Sequence, residues 1–261
     1  AASGLAYGNF LIQAPLGILS NSLILPLLPQ FSKLRSKKDL RGLQKNLMSG
    51  IEYCFLTSIF LTGFFITFNN QIVQFVFERG AFDYSATLKV KNILIAYAIG
   101  IPFYLYRDLL VRTYYSIEKT KFPFQLSLAG IILNAFFDWF LIGAPIKNFE
   151  NLSPYNFGVV GIILSSGIVN FIVCILLALN LRNEDIHLPN LDLFKKIILM
   201  SLASLIDSRI CFTILKTTNK LNSNVEEFLL LIFGSLTFFV IYFLLTKFLK
   251  VNKFKIYQKK I

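Results

Sequence analysis

Phe157-Gly158-Val159-Val160-Gly161-Ile162-Ile163-Leu164-Ser165-Ser166-Gly167-Ile168-Val169-Asn170-Phe171-Ile172-Val173-Cys174-Ile175-Leu176-Leu177-Ala178-Leu179-Asn180-Leu181 contains no charged side chain. As a helix rising 1.5 Å per residue the run is about 37 Å long. That exceeds the roughly 30 Å hydrocarbon core of a bilayer, which needs about 20 mostly apolar residues to cross. Backbone groups in lipid must be satisfied inside the segment, so a helix is the form it takes. A barrel strand would alternate apolar and polar over about ten residues, and this run does not.

Similar blocks lie on either side. They run from about Leu5 to Leu28, Leu47 to Phe68, Asn92 to Tyr114, Phe124 to Ile142, Ile197 to Leu215 and Phe228 to Leu249. With the first run they make seven segments, and the fold expected is an all-α, polytopic membrane helix bundle. The chain of 261 residues is 55% hydrophobic, with 28 Phe and a mean hydropathy of +0.63. A soluble domain is about 45–50% apolar even with Gly counted.

The net charge of +12 sits between the apolar blocks. A nucleic-acid binder would gather it on one face of a soluble fold, so no nucleic-acid partner is expected. Nineteen Lys and Arg lie in alternate connections and the tail: Lys33 to Lys45, Arg107 to Lys121, Arg182 to Lys196 and Lys247 to Lys260. The opposite connections hold six: Arg79, Lys89, Lys91, Lys147, Lys216 and Lys220. Positive residues favour the cytoplasmic side, which places the C-terminus inside and, with seven spans, the N-terminus outside. That orientation, and a start at Ala1 without Met or signal peptide, lead us to expect a piece of a longer protein.

Two connections are expected to be structured. Ser32 to Lys45 has Leu34, Leu40 and Leu43 on one helical face and reads as a short amphipathic helix at the cytoplasmic interface. Asn70 to Phe77 is apolar but too short to span, and is expected at the outer interface. Cys54, Cys174 and Cys211 each lie inside an apolar block and read as small buried hydrophobes. The one histidine, His187, has no Cys or His neighbour and makes a poor metal site. No metal or other cofactor is expected.

Charges inside the membrane are expensive and usually face a cavity or a partner. Asp108 and Arg112 are four apart and share a helix face, and Arg107 is turned about 100° from Asp108. The three are candidate substrate-binding residues; the alternative is that Arg112 reaches the inner interface and neutralises Asp108 structurally. Pro15 and Gly17 are candidate hinge residues, because bent helices in transporters often line the substrate path; a plain packing kink is the alternative. Asp138 beside Trp139 reads as facing outer water. Asp207 and Arg209, two apart, do not face each other and are expected to seek partners on neighbouring helices. There is no Walker sequence, Gly-x-Ser-x-Gly, His-Glu pair or Asp-rich Mg²⁺ motif, so an enzyme is not expected.

The run Tyr7-Gly8-Asn9-Phe10-Leu11-Ile12-Gln13-Ala14-Pro15-Leu16-Gly17, closing on Leu28-Pro29-Gln30-Phe31-Ser32, resembles the eighth transmembrane helix of MurJ/MviN proteins. Phe77-Glu78-Arg79-Gly80-Ala81-Phe82 is similar to that family's Phe-x-Arg-Gly-x-Phe element. Ala96-Tyr97 to Gly100, Tyr114-Tyr115-Ser116 and Lys119-Thr120-Lys121-Phe122-Pro123 resemble its tenth helix and the following turn. The resemblance reaches to about Leu181. It implies the second lobe of a two-lobed, fourteen-helix lipid flippase of the multidrug/oligosaccharidyl-lipid/polysaccharide exporter superfamily. Residues 1–182 would be helices eight to twelve, and residues 191–261 two further helices and a basic tail. It further implies lipid-linked peptidoglycan precursor as substrate, carried by alternating access across the bacterial inner membrane, with membrane lipids and the missing N-terminal lobe as partners. Many members carry Arg and Glu early in the eighth helix. Here those positions are Phe10 and Gln13, so no charge contact carries over and Gln13 is a neutral candidate. Alternatives are an exporter of another polyprenyl-linked glycan or of drugs, a membrane enzyme acting on polyprenyl phosphate, and a non-transporting assembly subunit.

Overall fold

The computed structural model describes residues 2–78, 82, 84–143, 155–186, 188, 190–218 and 224–248. It is helical, with no strand among the described residues. Helix α1 (Ala2–Leu19) passes through a π-helical turn (Ser20–Ile24) into α2 (Leu27–Ser36). There follow α3 (Leu40–Thr67), the short α4 (Asn69–Phe77), α5 (Tyr84–Ser116), α6 (Lys121–Ile142) and α7 (Val159–Asn180), which ends in a 3₁₀ turn (Leu181–Glu184). The chain closes with α8 (Asn190–Thr218) and α9 (Asn224–Phe248).

Among the described residues, six helical stretches are long and apolar enough to cross a membrane: Ser3–Ser36, Leu40–Thr67, Tyr84–Ser116, Lys121–Ile142, Val159–Glu184 and Leu231–Phe248. Helix α8 is long enough for a seventh, at about 1.5 Å per residue. Several helices outrun their apolar blocks: α3 begins seven residues before Leu47 and α5 eight before Asn92. Hydropathy marks only the part in hydrocarbon, whereas backbone hydrogen bonding carries the helix on into the headgroup region.

Helices α3 and α5 form the centre. Their Leu47, Ile51, Leu94, Ile101, Leu105 and Leu109 are essentially inaccessible. Outer positions are apolar too, such as the exposed Ile131 and Ile132 of α6, as expected where lipid replaces water. Proline 102 lies inside α5 and cannot donate to the carbonyl four residues back. Thr62 Oγ1 of α3 donates to that carbonyl, Ala98 O, at 2.8 Å, so the break in one helix becomes a bond between two. The buried Tyr114 ties α5 to α7 by donating to Leu177 O at 2.9 Å.

The expected amphipathic helix over Ser32 to Lys45 is not a separate element. Helix α2 runs to Ser36, the chain reverses at Lys38 with φ 56°, and Asp39 caps α3 by accepting from Gly42 N at 2.9 Å. Leu34 and Leu43 are therefore the ends of two different helices meeting at one turn. The same closure recurs at Glu118 (φ 62°) and Asp185 (φ 60°), with N–H groups returning five residues back: Asp39 to Leu34, Lys119 to Tyr114 and Ile186 to Leu181. These are Schellman closures, which satisfy the last carbonyls of a helix. All three turns lie at one end of the bundle: Ser32 Oγ reaches Ser116 O at 3.4 Å, and Lys119 pairs with Glu184 at 3.2 Å. The charge-rich connections are thus gathered on one side.

At the other end α4 is short, as expected, and Phe77 and Phe82 pack on Tyr7 of α1 at 4.8 and 5.4 Å. Residues 79–81, His187, Lys147, Lys220 and the basic tail beyond 248 lie outside the described residues. Phe157 N and Gly158 N return to Leu141 O and Ile142 O, closing α6 onto the start of α7. There Gly161 meets backbone: a Cβ added to it would lie 2.7 Å from Leu141 O. Backbone held by two hydrogen bonds cannot yield as a side chain could. Gly161→Ala in the full-length protein is expected to cost about 1–3 kcal/mol, read as a lower unfolding temperature in detergent, with Gly167→Ala, which meets nothing within 4 Å, as the control.

Helices α8 and α9 dock on α3 through the Glu52–Lys196 ion pair, the Ser204 Oγ bond to Ile59 O at 3.4 Å and the Tyr242 Oη bond to Leu56 O at 3.0 Å. The three cysteines are buried and unbridged.

Candidate functional site

The charges of α5 do not form one cluster. Asp108 and Arg112, one turn apart, pair at 2.8 Å between Asp108 Oδ1 and Arg112 Nε. A third member comes from far away in sequence: Ser20 Oγ donates to Asp108 Oδ2 at 2.6 Å and accepts from Arg112 Nη2 at 3.0 Å. The result is a closed ring of three hydrogen bonds in which the carboxylate accepts twice, the guanidinium donates twice, and Ser20 does one of each. Asp108 and Arg112 are about three-quarters buried, in a setting where a charge-assisted bond is stronger than in water.

Ser20 reaches this position because the first span is irregular there. Pro26 and Pro29 have no N–H to give to Ser22 O and Leu25 O. The helix widens instead: Leu25 N bonds Ser20 O, five residues back, at 3.1 Å, and Leu28 N takes Leu25 O at 3.3 Å. Single π turns inside α-helices are frequent at functional sites. Helix α1 continues regularly through Pro15 and Gly17 to Leu19, so the departure from α geometry lies at 20–26, beyond the residues singled out as a hinge. Gly17 faces open space.

Arg107 points the other way. Its Nη1 donates to Asn170 Oδ1 of α7 at 2.8 Å, and no carboxylate is within ion-pair distance among the described residues. It lines a cavity of about 250 Å³ between α5, α6 and α7, shared with Ser127, Gly130, Asn134, Ser166 and Asn170. Deeper along the same seam Ser165 Oγ donates to Asp138 and lies 3.2 Å from Asn134 Oδ1. Asp138 therefore does not simply face outer water: it is half-buried and bonded across to α7. The polar positions of α6 fall at 127, 134 and 138, and those of α7 at 165, 166 and 170. The intervals of seven and four on α6 and of four on α7 are helical intervals on two apolar helices, a signal the sequence carried in its neutral polar residues.

Gln13 is exposed on α1, and its Nε2 reaches only one turn back, to Asn9 Oδ1 at 3.3 Å. No hydrogen bond links it to the α5 groups among the described residues. It shares an open face of the first span with Phe10, 65% exposed, and Ile18, 68% exposed. A further cavity of about 700 Å³ opens at the far end between α1, α5 and α7, beside Ser3, Tyr7, Lys89 and Asn92. No group of three or more His, Cys, Asp or Glu side chains is close enough to hold a metal ion among the described residues.

Residues 1–245 match the family model described as lipid II flippase MurJ. The chain is 39% identical over 170 residues to a probable lipid II flippase MurJ of Synechocystis sp. (strain ATCC 27184 / PCC 6803 / Kazusa), covering 65% of this chain and 30% of that protein. It is 31% identical over 134 residues to a probable lipid II flippase MurJ of Rickettsia prowazekii (strain Madrid E), covering 51% and 26%. A solved structure titled lipid II flippase MurJ, inward closed conformation, superposes with a TM-score of 0.67 at 26% identity, over 95% of this chain and 46% of that one. The chain thus spans less than half the length of the relatives it matches. Its helix bundle, its order of motifs and the match over nearly its whole length place it in one family: the chain belongs to the MurJ lipid II flippase family.

Proposed function

We propose that this chain forms one lobe of a transporter that moves lipid-linked peptidoglycan precursor, lipid II, from the inner to the outer leaflet of the bacterial inner membrane by alternating access. In this reading residues 1–182 build the lobe and residues 191–261 add a helix pair and tail. Transport, not catalysis, is the activity. The observation that carries the reading is the first span. One face of it is bare, exposing Phe10, Gln13 and Ile18, while its irregular turn ties Ser20 to the largely buried Asp108–Arg112 pair. A bare face suits the wall of a cavity completed by a second lobe, and a charged pair at a helix irregularity suits an element with two arrangements. Arg107, Asp108, Arg112 and Gln13 are proposed as substrate-path residues, and Pro15 and Gly17 as hinge residues alongside the π turn.

The test is rescue of cells depleted of their own lipid II flippase. The full-length protein containing this chain should restore precursor accessible from outside, and residues 1–261 alone should not. Full-length protein that reaches the membrane without restoring flipping would remove lipid II as the substrate and favour another polyprenyl-linked glycan or a drug. The charge asymmetry supports a cytoplasmic C-terminus. A reporter fused after Lys260 should accordingly be active only there, and one inserted at Asn151 only outside; a cytoplasmic signal at Asn151 would overturn the orientation.

A further inference from the structure

Asp207 of α8 is fully buried, with 0% of its surface exposed. Its Oδ1 meets only the weak Cys211 Sγ donor of its own helix, at 3.6 Å. Its Oδ2 has no hydrogen-bond partner among the described residues. The partner expected on a neighbouring helix is not supplied, because the nearby hydroxyls are committed elsewhere: Ser204 to Ile59 O, Tyr242 to Leu56 O and Thr237 to Gly234 O at 2.9 Å. The seam of α3 and α9 is otherwise aromatic, with Phe238 packed on Phe60, Phe64 and Phe68 at 5.5, 6.2 and 6.1 Å.

Among the described residues no counter-charge stands by. Arg209, two residues on, projects from the opposite side of α8 and is exposed. Beyond Glu52, which is paired with Lys196, α3 has no charged residue up to Thr67, and α4 has none. The charged residues of α9, Glu226, Glu227 and Lys247, are ten or more positions from Thr237, about 15 Å along the axis. The titratable groups that face this seam are Cys211 and Tyr242. An ionised carboxylate held there without donors is costly enough that such groups neutralise instead.

We propose that Asp207 is a proton-binding site that couples proton uptake to closure of the α8–α9 pair on α3. With the proton on Oδ2 the neutral acid is compatible with the packed seam. When the proton leaves to water, the carboxylate gains hydration only if α8 and α9 separate from α3. Acid conditions therefore hold the pair closed and alkaline conditions loosen it. This goes beyond the flippase reading and does not depend on which lipid is carried.

The experiment uses the full-length protein in lipid vesicles, with every cysteine except Cys211 replaced by alanine. Infrared spectra at neutral pH should contain the carbonyl stretch of a protonated carboxylic acid, absent from Asp207→Asn and retained in Asp138→Asn. Labelling of Cys211 by N-ethylmaleimide is then compared at equal pH, where the charge of Asp207 beside the thiol can only slow the reaction and so cannot imitate opening. At alkaline pH the Asp207 protein should label about tenfold faster than Asp207→Asn or Asp207→Leu, a decade in the opening equilibrium. At acid pH the three should label alike. Absence of an Asp207-dependent acid band overturns the proposal, and so does equal labelling at alkaline pH. Faster labelling of both variants at acid pH also overturns it, since the side chain would then act by packing alone. Loss of flipping with these results intact would bear on the substrate reading and not on Asp207.

Discussion

Arg107→Ala in the full-length protein is expected to lower precursor exposure in the outer leaflet by about tenfold to a hundredfold at an unchanged membrane level. Hydrogen bonds to charged groups contribute roughly 1.5–3 kcal/mol, and about 1.4 kcal/mol is tenfold. The Arg107 guanidinium lacks a carboxylate partner among the described residues. Among the described residues it makes one hydrogen bond, to a neutral amide on α7, and it lines a polar cavity between α5, α6 and α7. A pyrophosphate-linked lipid is anionic, and Arg meets phosphate with a planar fork of donors. Removing Arg107 takes away no ion pair seen in this structure, so folding should be spared while transport is not. Arg107→Lys should recover only part of the activity, because a point charge cannot reproduce bidentate contact. The measurement is externally accessible precursor normalised to protein in the membrane. Normal flipping by Arg107→Ala would remove this residue from the substrate path.

Asp108→Ala is expected to act differently, by lowering the amount of folded protein. It leaves Arg112 and Ser20 facing an empty acceptor position, although both of their bonds to Asp108 are short. Breaking one half of a buried ion pair costs about 3–5 kcal/mol. With both side chains about a quarter exposed, roughly 2–3 kcal/mol is the scale to expect after allowing for solvent screening. Asp108→Asn keeps an acceptor and should be milder. Asp108→Ala and Arg112→Ala together should cost less than the sum of the two, because they share one interaction. Thermal unfolding and membrane yield check this. Equal, additive losses would mean that the ring with Ser20 contributes little.

Length, polarity and order of the spans were legible from the sequence because hydrophobic transfer is a local quantity. A run such as Phe157 to Leu181 settles its own environment without reference to the rest of the chain. The Asp108–Arg112 pair was legible for the same reason, since four residues is one helical turn. The family motifs were likewise local strings.

What tertiary structure alone decided is which residues meet across helices. Nothing local to Ser20 joins it to Asp108, eighty-eight positions away; that contact follows from the π turn, which depends on two prolines several residues later. Arg107 and Asp108 are neighbours in the chain yet serve different seams, because about 100° of helical rotation turns one toward α7 and the other toward the π turn of the first span. Ser32 to Lys45 looked like one amphipathic helix because periodicity cannot reveal a left-handed residue at Lys38. Asp138 beside Trp139 fits a solvent-facing helix end by sequence, and the packing of α7 instead sets Ser165 against it. The sequence by itself determined that the chain is a membrane helix bundle, since burial in lipid depends on composition over about 20 residues. The packing of α5 between α1, α3 and α7 determined which polar groups are partnered and which, like Asp207, are left without a donor, since hydrogen bonds depend on positions within about 3 Å that only the assembled helices fix.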